Sequence, residues 1–420
     1  MAPGRSFHRE PFAESLQAEF QHPLRLPLSL RNVTDNIFVQ TLWSKFLLHI
    51  GDEAFLVFRR GYCLQYFLLT AHRATKIVFS HDLHYICLMA KKKEITRTEI
   101  KELGRIKTLD RLFEKSSFKN SRTTFIPPVK GGGGVVTVNS LMLEGVDFDL
   151  TYTPVKYLGY KAAVHAMGYL YARCAKPCAL NFSIGVSSKF SFEHIDWLWA
   201  GIQAAAKLHS VENLTLDLVP SMSGLVISCG ATGNLLSPEN TKETTPNSLI
   251  CISGNLGSAC MGFYVLEREK AAFTGTQPQL EKYKYPLGQY LTPDIEPSVL
   301  DSFKETGIWP SAGYFLTRGL GDAVKQLARD HSCGANIFLD KIPVAPEARM
   351  VSEEIGIDMA TAIINGGDDY RLMYVFPLEA HEAIRKELPW LEVIGHTAKE
   401  GCHLVSPDGN YLEIKAQGWD

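Results

Sequence analysis

The stretch Ala179-Leu180-Asn181-Phe182-Ser183-Ile184-Gly185-Val186 sets an apolar residue at nearly every second position, the pattern of a half-buried strand. Ser191 then supplies an N-cap ahead of Glu193 and His194, and the spacing predicts a helix from Ser191 to Leu208. Upstream, Tyr160–Cys174 reads as a helix rich in Ala and large apolar residues, and the β-branched run Val135–Val138 as a short strand. Downstream, Leu214–Val219 and Gly224–Cys229 read as strands flanking the Pro220–Ser223 turn. Residues 234–247, with Pro238 and Pro246, read as a linker. A second unit follows. Its expected strands are Leu249–Gly254, Ala335–Leu339, Arg371–Phe376 and Leu391–Ile394, and a hairpin spans Cys402–Ile414 around Pro407-Asp408-Gly409-Asn410. Its expected helices are Phe263–Lys270, Val299–Thr306, Gly321–His331 and Leu378–Glu387, with a Pro- and Tyr-bearing loop at 274–293. Strands and helices alternate in both halves, which argues for α+β or α/β layers built on sheets.

At 420 residues the chain has room for two or three domains, and 45% hydrophobic with 21% charged residues excludes wholesale disorder. The net charge of -2 supplies no basic field for nucleic acid. No apolar stretch reaches the roughly 18 residues of a membrane span, so no membrane partner is expected. Nine irregularly spaced cysteines read as reduced thiols of a cytoplasmic protein, and Cys174-Ala-Lys-Pro-Cys178 lacks the second pair a zinc site needs. Residues 1–88 hold no clean period and no secretory signal. They read as an appendage from an over-long gene reading or as a small accessory domain. Met89 opens a new register, with Leu103, Ile106, Leu109 and Leu112 at helical spacing.

Four segments could carry chemistry. Lys130 with Gly131–Gly134 lets backbone N–H groups approach a phosphate, or serves as a flexible loop; the closing Gly-Lys-Ser/Thr of a P-loop is missing. Glu144, Asp147 and Asp149 could hold a cation or a substrate ammonium, or mark an exposed strand end. Asn365-Gly366-Gly367-Asp368-Asp369-Tyr370 is a tight turn carrying two acids, either a ligand turn or a plain one. Thr317-Arg318-Gly319 could open a helix N-terminus, a seat for phosphate, with Arg318 as a fork of donors. Asp217, a lone acid in an apolar strand, should need a partner or a cation.

In order and spacing, these pieces resemble thiamine-monophosphate kinase, of the aminoimidazole-ribonucleotide-synthetase-like (PurM-like) superfamily. The resemblance covers residues 89–420. Its anchors are Glu144–Leu150, Leu158–Val164, Ser223–Ser228, Ile252–Gly257, Gly366–Tyr370 and the terminal Ala416–Trp419. It implies an α+β, two-domain PurM-like fold. A domain at 89–240 would close a β-barrel across a homodimer interface, and a C-terminal α/β domain would occupy 247–420. It also implies ATP, Mg²⁺ and transfer of the γ-phosphoryl group onto thiamine monophosphate, giving thiamine diphosphate. On that basis ATP would meet Lys130, Asp217, Thr317 and Arg318, with Asp217 also on the metal, and the thiamine phosphate would meet Asp147, Asp368 and Trp419.

The chain departs from the family at its acids. The Gly-Ile-Gly-Asp-Asp motif falls on Lys130–Gly134, and the aspartate before Glu-Gly-Val falls on Ser140. The aspartate of Asn-x-Ser-Asp falls on Tyr169, and those of Asp-Ile-Ser-Asp-Gly-Leu fall on Phe315 and Arg318. Of Gly-Gly-Asp-Thr only Asp217 is kept. Losing one preorganised electrostatic element commonly costs about 100–1,000-fold in rate. Two readings stand: a kinase with a rearranged site, or a non-catalytic homodimeric paralogue that keeps a thiamine-like or nucleotide ligand. A weaker third is an ATP-dependent amidine-forming ligase.

Overall fold

The structure, a computed structural model, describes residues 106–107, 110–111, 114, 123–126, 134–237, 243–275 and 278–419. All belong to the unit Thr98–Asp420. The reading of residues 1–88 lies outside the described residues.

The first sheet contains β1 (Thr123–Ile126), β2 (Val135–Leu143), β3 (Ala175–Val186), β4 (Asn213–Pro220) and β5 (Val226–Leu235), in the order β1-β2-β5-β3-β4. Its pairs are antiparallel except β3 with β4. That exception follows from the helix α2 (Phe192–Leu208) between them, since a parallel pair needs a crossover. Ser191 caps α2 as the sequence predicts, its backbone N–H donating to His194 Nδ1 at 3.2 Å. Alternation along β2 buries Val136, Val138, Ser140 and Met142 and leaves Asn139 and Leu141 outside. The helix α1 (Val155–Ala172) packs against α2 where two glycines meet backbone: a Cβ at Gly159 would strike the Leu198 carbonyl, and one at Gly201 the Lys156 carbonyl.

The second sheet has seven strands, in the order β12-β11-β8-β10-β6-β9-β7. They are β6 (Leu249–Ser253), β7 (Ala312–Phe315), β8 (Gly334–Phe338), β9 (Leu372–Phe376), β10 (Leu391–Ala398), β11 (Cys402–Val405) and β12 (Tyr411–Glu413). Strands β6 and β9 are buried almost throughout, as their unbroken apolar runs require. The helices are α3 (Ser258–Ala272), α4 (Lys284–Leu291), α5 (Val299–Thr306), α6 (Leu320–His331), α7 (Pro346–Ile355), α8 (Met359–Asn365) and α9 (His381–Glu387). Five elements are absent from the sequence reading: β1, α4, β7, α7 and α8. The expected loop at 274–293 holds α4, because Pro286 falls in its first turn, where no backbone N–H is needed. Strands β1 and β7 and helix α8 are too short to show a period, whereas α7, at 10 residues, is simply passed over.

Helix α1 is the axis of the fold. Thirteen of its 18 residues are buried, and they share one core with strands of both sheets. An apolar circumference of this kind suits a helix enclosed on all sides. Tyr374 of β9 donates to the Tyr171 carbonyl at 2.8 Å, and Gly313 of β7 lies against the Ala172 carbonyl. Past its exposed first turn, the polar side chains Lys161, His165 and Tyr169 of α1 are therefore held between layers.

Candidate functional site

Those side chains form a stripe. Lys161, His165 and Tyr169 are four residues apart, on one face of α1. Two segments meet that face. One is Leu316–Gly319, between β7 and α6. The other is the turn Gly366–Tyr370, between α8 and β9. They run side by side, with Asp368 N donating to the Thr317 carbonyl (3.1 Å) and Tyr370 N to the Leu316 carbonyl (3.0 Å). The turn is strained: Gly367, Asp368 and Tyr370 have φ of 74°, 59° and 49°. Left-handed backbone costs a residue such as Tyr roughly 1–2 kcal/mol. Asp369 offsets part of this cost. Buried at 3% exposure, its carboxylate accepts from Gly257 N (2.9 Å) and Ala259 N (3.3 Å) at the start of α3. Burial still raises its pKa to about 6, against those two backbone donors and the Arg371 charge. The three consecutive side chains are thereby sent three ways: Asp368 to Lys161, Asp369 to α3 and Tyr370 into a ring cluster.

The charged part of the site is balanced internally. Lys161, 1% exposed, donates to Asp368 Oδ2 at 3.2 Å, and its ammonium lies 3.9 Å from the Tyr290 ring centroid. Asp147 Oδ2 accepts from Leu143 N at 2.8 Å. Burial raises the Asp147 pKa most; that backbone donor lowers it, Asp368 raises it, and Arg318 and Lys161 lower it. Two acids and two bases therefore share one field.

Beside them lies a packed ring cluster of His165, Tyr169, Phe315 and Tyr370, with Ser140 at its edge. Ser140 Oγ lies 3.0 Å from His165 Nδ1, and His165 stacks on Tyr370 with centroids 5.5 Å apart. Tyr169 meets Phe315 edge-on at 5.2 Å, and its hydroxyl lies 3.1 Å from Thr317 Oγ1. The Phe315 ring fills the space over Gly168, where a Cβ would overlap it. This donor set does not fit Mg²⁺, which wants several hard oxygens around one point. Among the described residues no three His, Cys, Asp or Glu side chains gather as a metal group. The acids Asp147 and Asp368 already face cations.

The expected site residues thus divide. Asp147, Asp368, Thr317 and Arg318 are brought together, and α6 starts at Leu320 directly after Arg318-Gly319. Lys130 lies outside the described residues. Asp217 is not a buried acid in want of a partner. It sits on the solvent-exposed edge strand β4, opposite Ser183, where water can solvate its carboxylate. Trp419 sits by α6, its Nε1 donating to the buried Asp322 at 2.7 Å, with the Arg329 guanidinium 5.0 Å from its ring centre. The acids at 144–149 act separately, because this stretch turns instead of running as a strand. Glu144 accepts from Leu225 N (2.7 Å) and pairs with Lys189. Asp149 pairs with Lys270 at 2.7 Å, which with Thr151 holds its pKa at about 2. Lys161, His165 and Tyr370 were missed as site residues. The signal for the first two was there: Lys and His four apart in an otherwise apolar helix.

No protein-family model matches the chain. It is 22% identical to thiamine-monophosphate kinase of Aquifex aeolicus over 322 residues, 76% of this chain and 98% of that protein. It is 25% identical over 234 residues to a protein named for hydrogenase expression and formation in Methanocaldococcus jannaschii, 54% of this chain and 66% of that one. Among solved structures, AaThiL complexed with AMPPCP and TMP superposes with a TM-score of 0.67 at 18% identity, covering 77% of this chain and all of that one. The hydrogenase maturation protein HypE of E. coli gives 0.53 at 17% identity, covering 76% and 98%. The mixed α+β architecture is thus that of ThiL and HypE.

Proposed function

We propose, for a chain that resembles the thiamine-monophosphate kinase family in sequence and in fold, that it is a binding protein for a phosphorylated small molecule of the thiamine monophosphate type and that ATP-dependent phosphoryl transfer has been given up. The observation that carries this reading is the ring cluster of His165, Tyr169, Phe315 and Tyr370, packed where an acid cage would stand, beside charged groups that remain. Arg318 supplies a planar fork for a phosphate. Asp147 and Asp368 would meet a cationic heterocycle by giving up part of their interaction with Lys161 and Arg318, and Trp419 offers a ring. Thr317 and the start of α6 serve a phosphate of the same ligand or of ATP, with Lys130 and Asp217 as outlying contacts.

The quaternary part of the proposal is a homodimer closing a β-barrel over the first sheet, whose outward side chains include Leu141, Leu216 and Leu218. The domain division at 89–240 and 247–420, with 1–88 as an appendage, belongs to the same reading. So does a cytoplasmic location, supported by the free thiols of the seven described cysteines. No helix among the described residues is long and apolar enough to cross a membrane.

An active kinase is the second reading, favoured by a match that runs over 98% of the Aquifex enzyme. Two measurements on the full chain separate them. Thiamine monophosphate should raise the unfolding temperature equally in EDTA and in Mg²⁺, because charge is supplied by side chains. Coupled ADP release with ATP, Mg²⁺ and thiamine monophosphate should stay at background. Turnover that Asp217→Asn abolishes would establish the kinase instead.

A further inference from the structure

A cavity of about 640 Å³ opens at the far end of the second sheet, where α9 leans over β6 and β10. It shares no lining residue with the Lys161 cluster, nor with the other large cavity, of about 550 Å³ beside Arg371 and Trp390. Its floor is apolar: Leu249, Ile384 and Leu391 are buried, and Val393 continues the surface. Its rim is basic. Lys341 comes from the turn after β8, His381 and Arg385 stand four apart on one face of α9, and His396 comes from β10. Glu392 is the one acid in the lining.

In a chain whose charges nearly cancel, two formal cations and two imidazoles from three elements around one hollow with a single acid is a local imbalance. Little within the fold neutralises it. The ion pairs of the described residues include none to Arg385, Lys341 reaches only its neighbour Asp340 at 3.9 Å, and His381 reaches only Glu382 at 3.4 Å. His396 Nδ1 lies 3.1 Å from the Thr397 carbonyl and donates to it, which leaves Nε2 of the neutral ring as an acceptor for a protonated oxygen of a ligand. The ring of His396 leans on Phe338 with centroids 5.7 Å apart, which fixes its direction. The volume is that of small-molecule sites, which run to about 300–1,000 Å³ with apolar walls and a few placed polar groups.

We infer that this cavity is a second binding site, for a small oxyanion with a flat apolar body. The body would lie on Leu249, Ile384 and Leu391, and a phosphate or carboxylate would sit at Arg385 and Lys341. Arg385 offers the planar two-pronged contact that either group accepts.

Calorimetric titration of the full chain with phenyl phosphate, benzoate and inorganic phosphate tests this. Phenyl phosphate or benzoate should bind saturably below about 1 mM. Arg385→Gln and Lys341→Gln should each weaken that binding by about tenfold, as loss of a charged contact does. Both positions are exposed, so thermal melts should confirm unchanged folding. Val393→Phe, which fills the floor, should also weaken it, while Arg318→Gln should leave it intact. Phenyl phosphate binding better than benzoate marks a phosphate site, and the reverse order marks a carboxylate site. Absence of binding overturns the inference. So does inorganic phosphate binding as tightly as phenyl phosphate, or a response to Arg318→Gln but none to Arg385→Gln.

Discussion

Two neighbouring regions along α1 hold their space in opposite ways. Around Lys161 the charged groups are kept and neutralise one another: a buried ammonium, two carboxylates and Arg318. One turn further, around His165 and Tyr169, rings stack and close the space. A charged pocket can persist without a metal if each charge has an internal partner. A space lined without charge has to be held by packing instead, because voids forfeit contacts on every wall. Phe315 supplies that packing over Gly168.

The largest test of that contrast is Phe315→Ala. If the ring is structural filling, the variant should lose about 3–5 kcal/mol in urea unfolding, the usual cost of emptying an aromatic site. A loss below about 1 kcal/mol would mean the space is open enough to admit a ligand. Next is Asp368→Asn, which strips Lys161 of its salt-bridge partner while the ammonium stays buried. About 2–3 kcal/mol should go, with recovery in the double variant with Lys161→Met, which removes the charge as well. Failure of the double variant to recover would show that the pair does not act as a unit.

Asp369 gives a pH test of the turn that joins the two regions. Its folded pKa of about 6 lies above the ordinary 3.8, so between those values the folded state binds more protons than the unfolded. Stability from this group therefore falls as pH rises from 4 to 6 and is level above. Asp369→Asn, whose amide nitrogen cannot accept from a backbone N–H as both carboxylate oxygens do, should be the less stable chain near pH 4 and should gain on the native chain by on the order of 2 kcal/mol by pH 7. His209, buried and lowered to about 4, acts with the opposite sign in nearly the same window, so the comparison is between variant and parent at each pH. The smallest effect is expected from Tyr169→Phe, which removes the hydroxyl contact to Thr317 and should cost about 1 kcal/mol. No change at all would place the cluster's order in its rings alone.

Much of the architecture was legible in the sequence. Period-2 alternation in β3, the Ser191 cap and the unbroken apolar runs of β6 and β9 are local patterns with local causes, and they survive unchanged in the fold. The missing acids at Ser140, Tyr169, Phe315 and Arg318 could also be read from residue order. What replaced them could not. Tyr169 and Phe315 are far apart in the chain, and only the packing of α1 against β7 shows that their rings meet. The exposure of Asp217 was equally out of reach, since an apolar strand reads the same whether its sheet is covered or open. Lys161 gave a local hint, a charge in an apolar helix, but its partner Asp368 is brought to it by a turn with left-handed backbone. The sequence by itself determined most of the elements, because propensity and periodicity are local. Only the tertiary structure decided which side chains share a field and which close a space, because burial and distance depend on the whole chain.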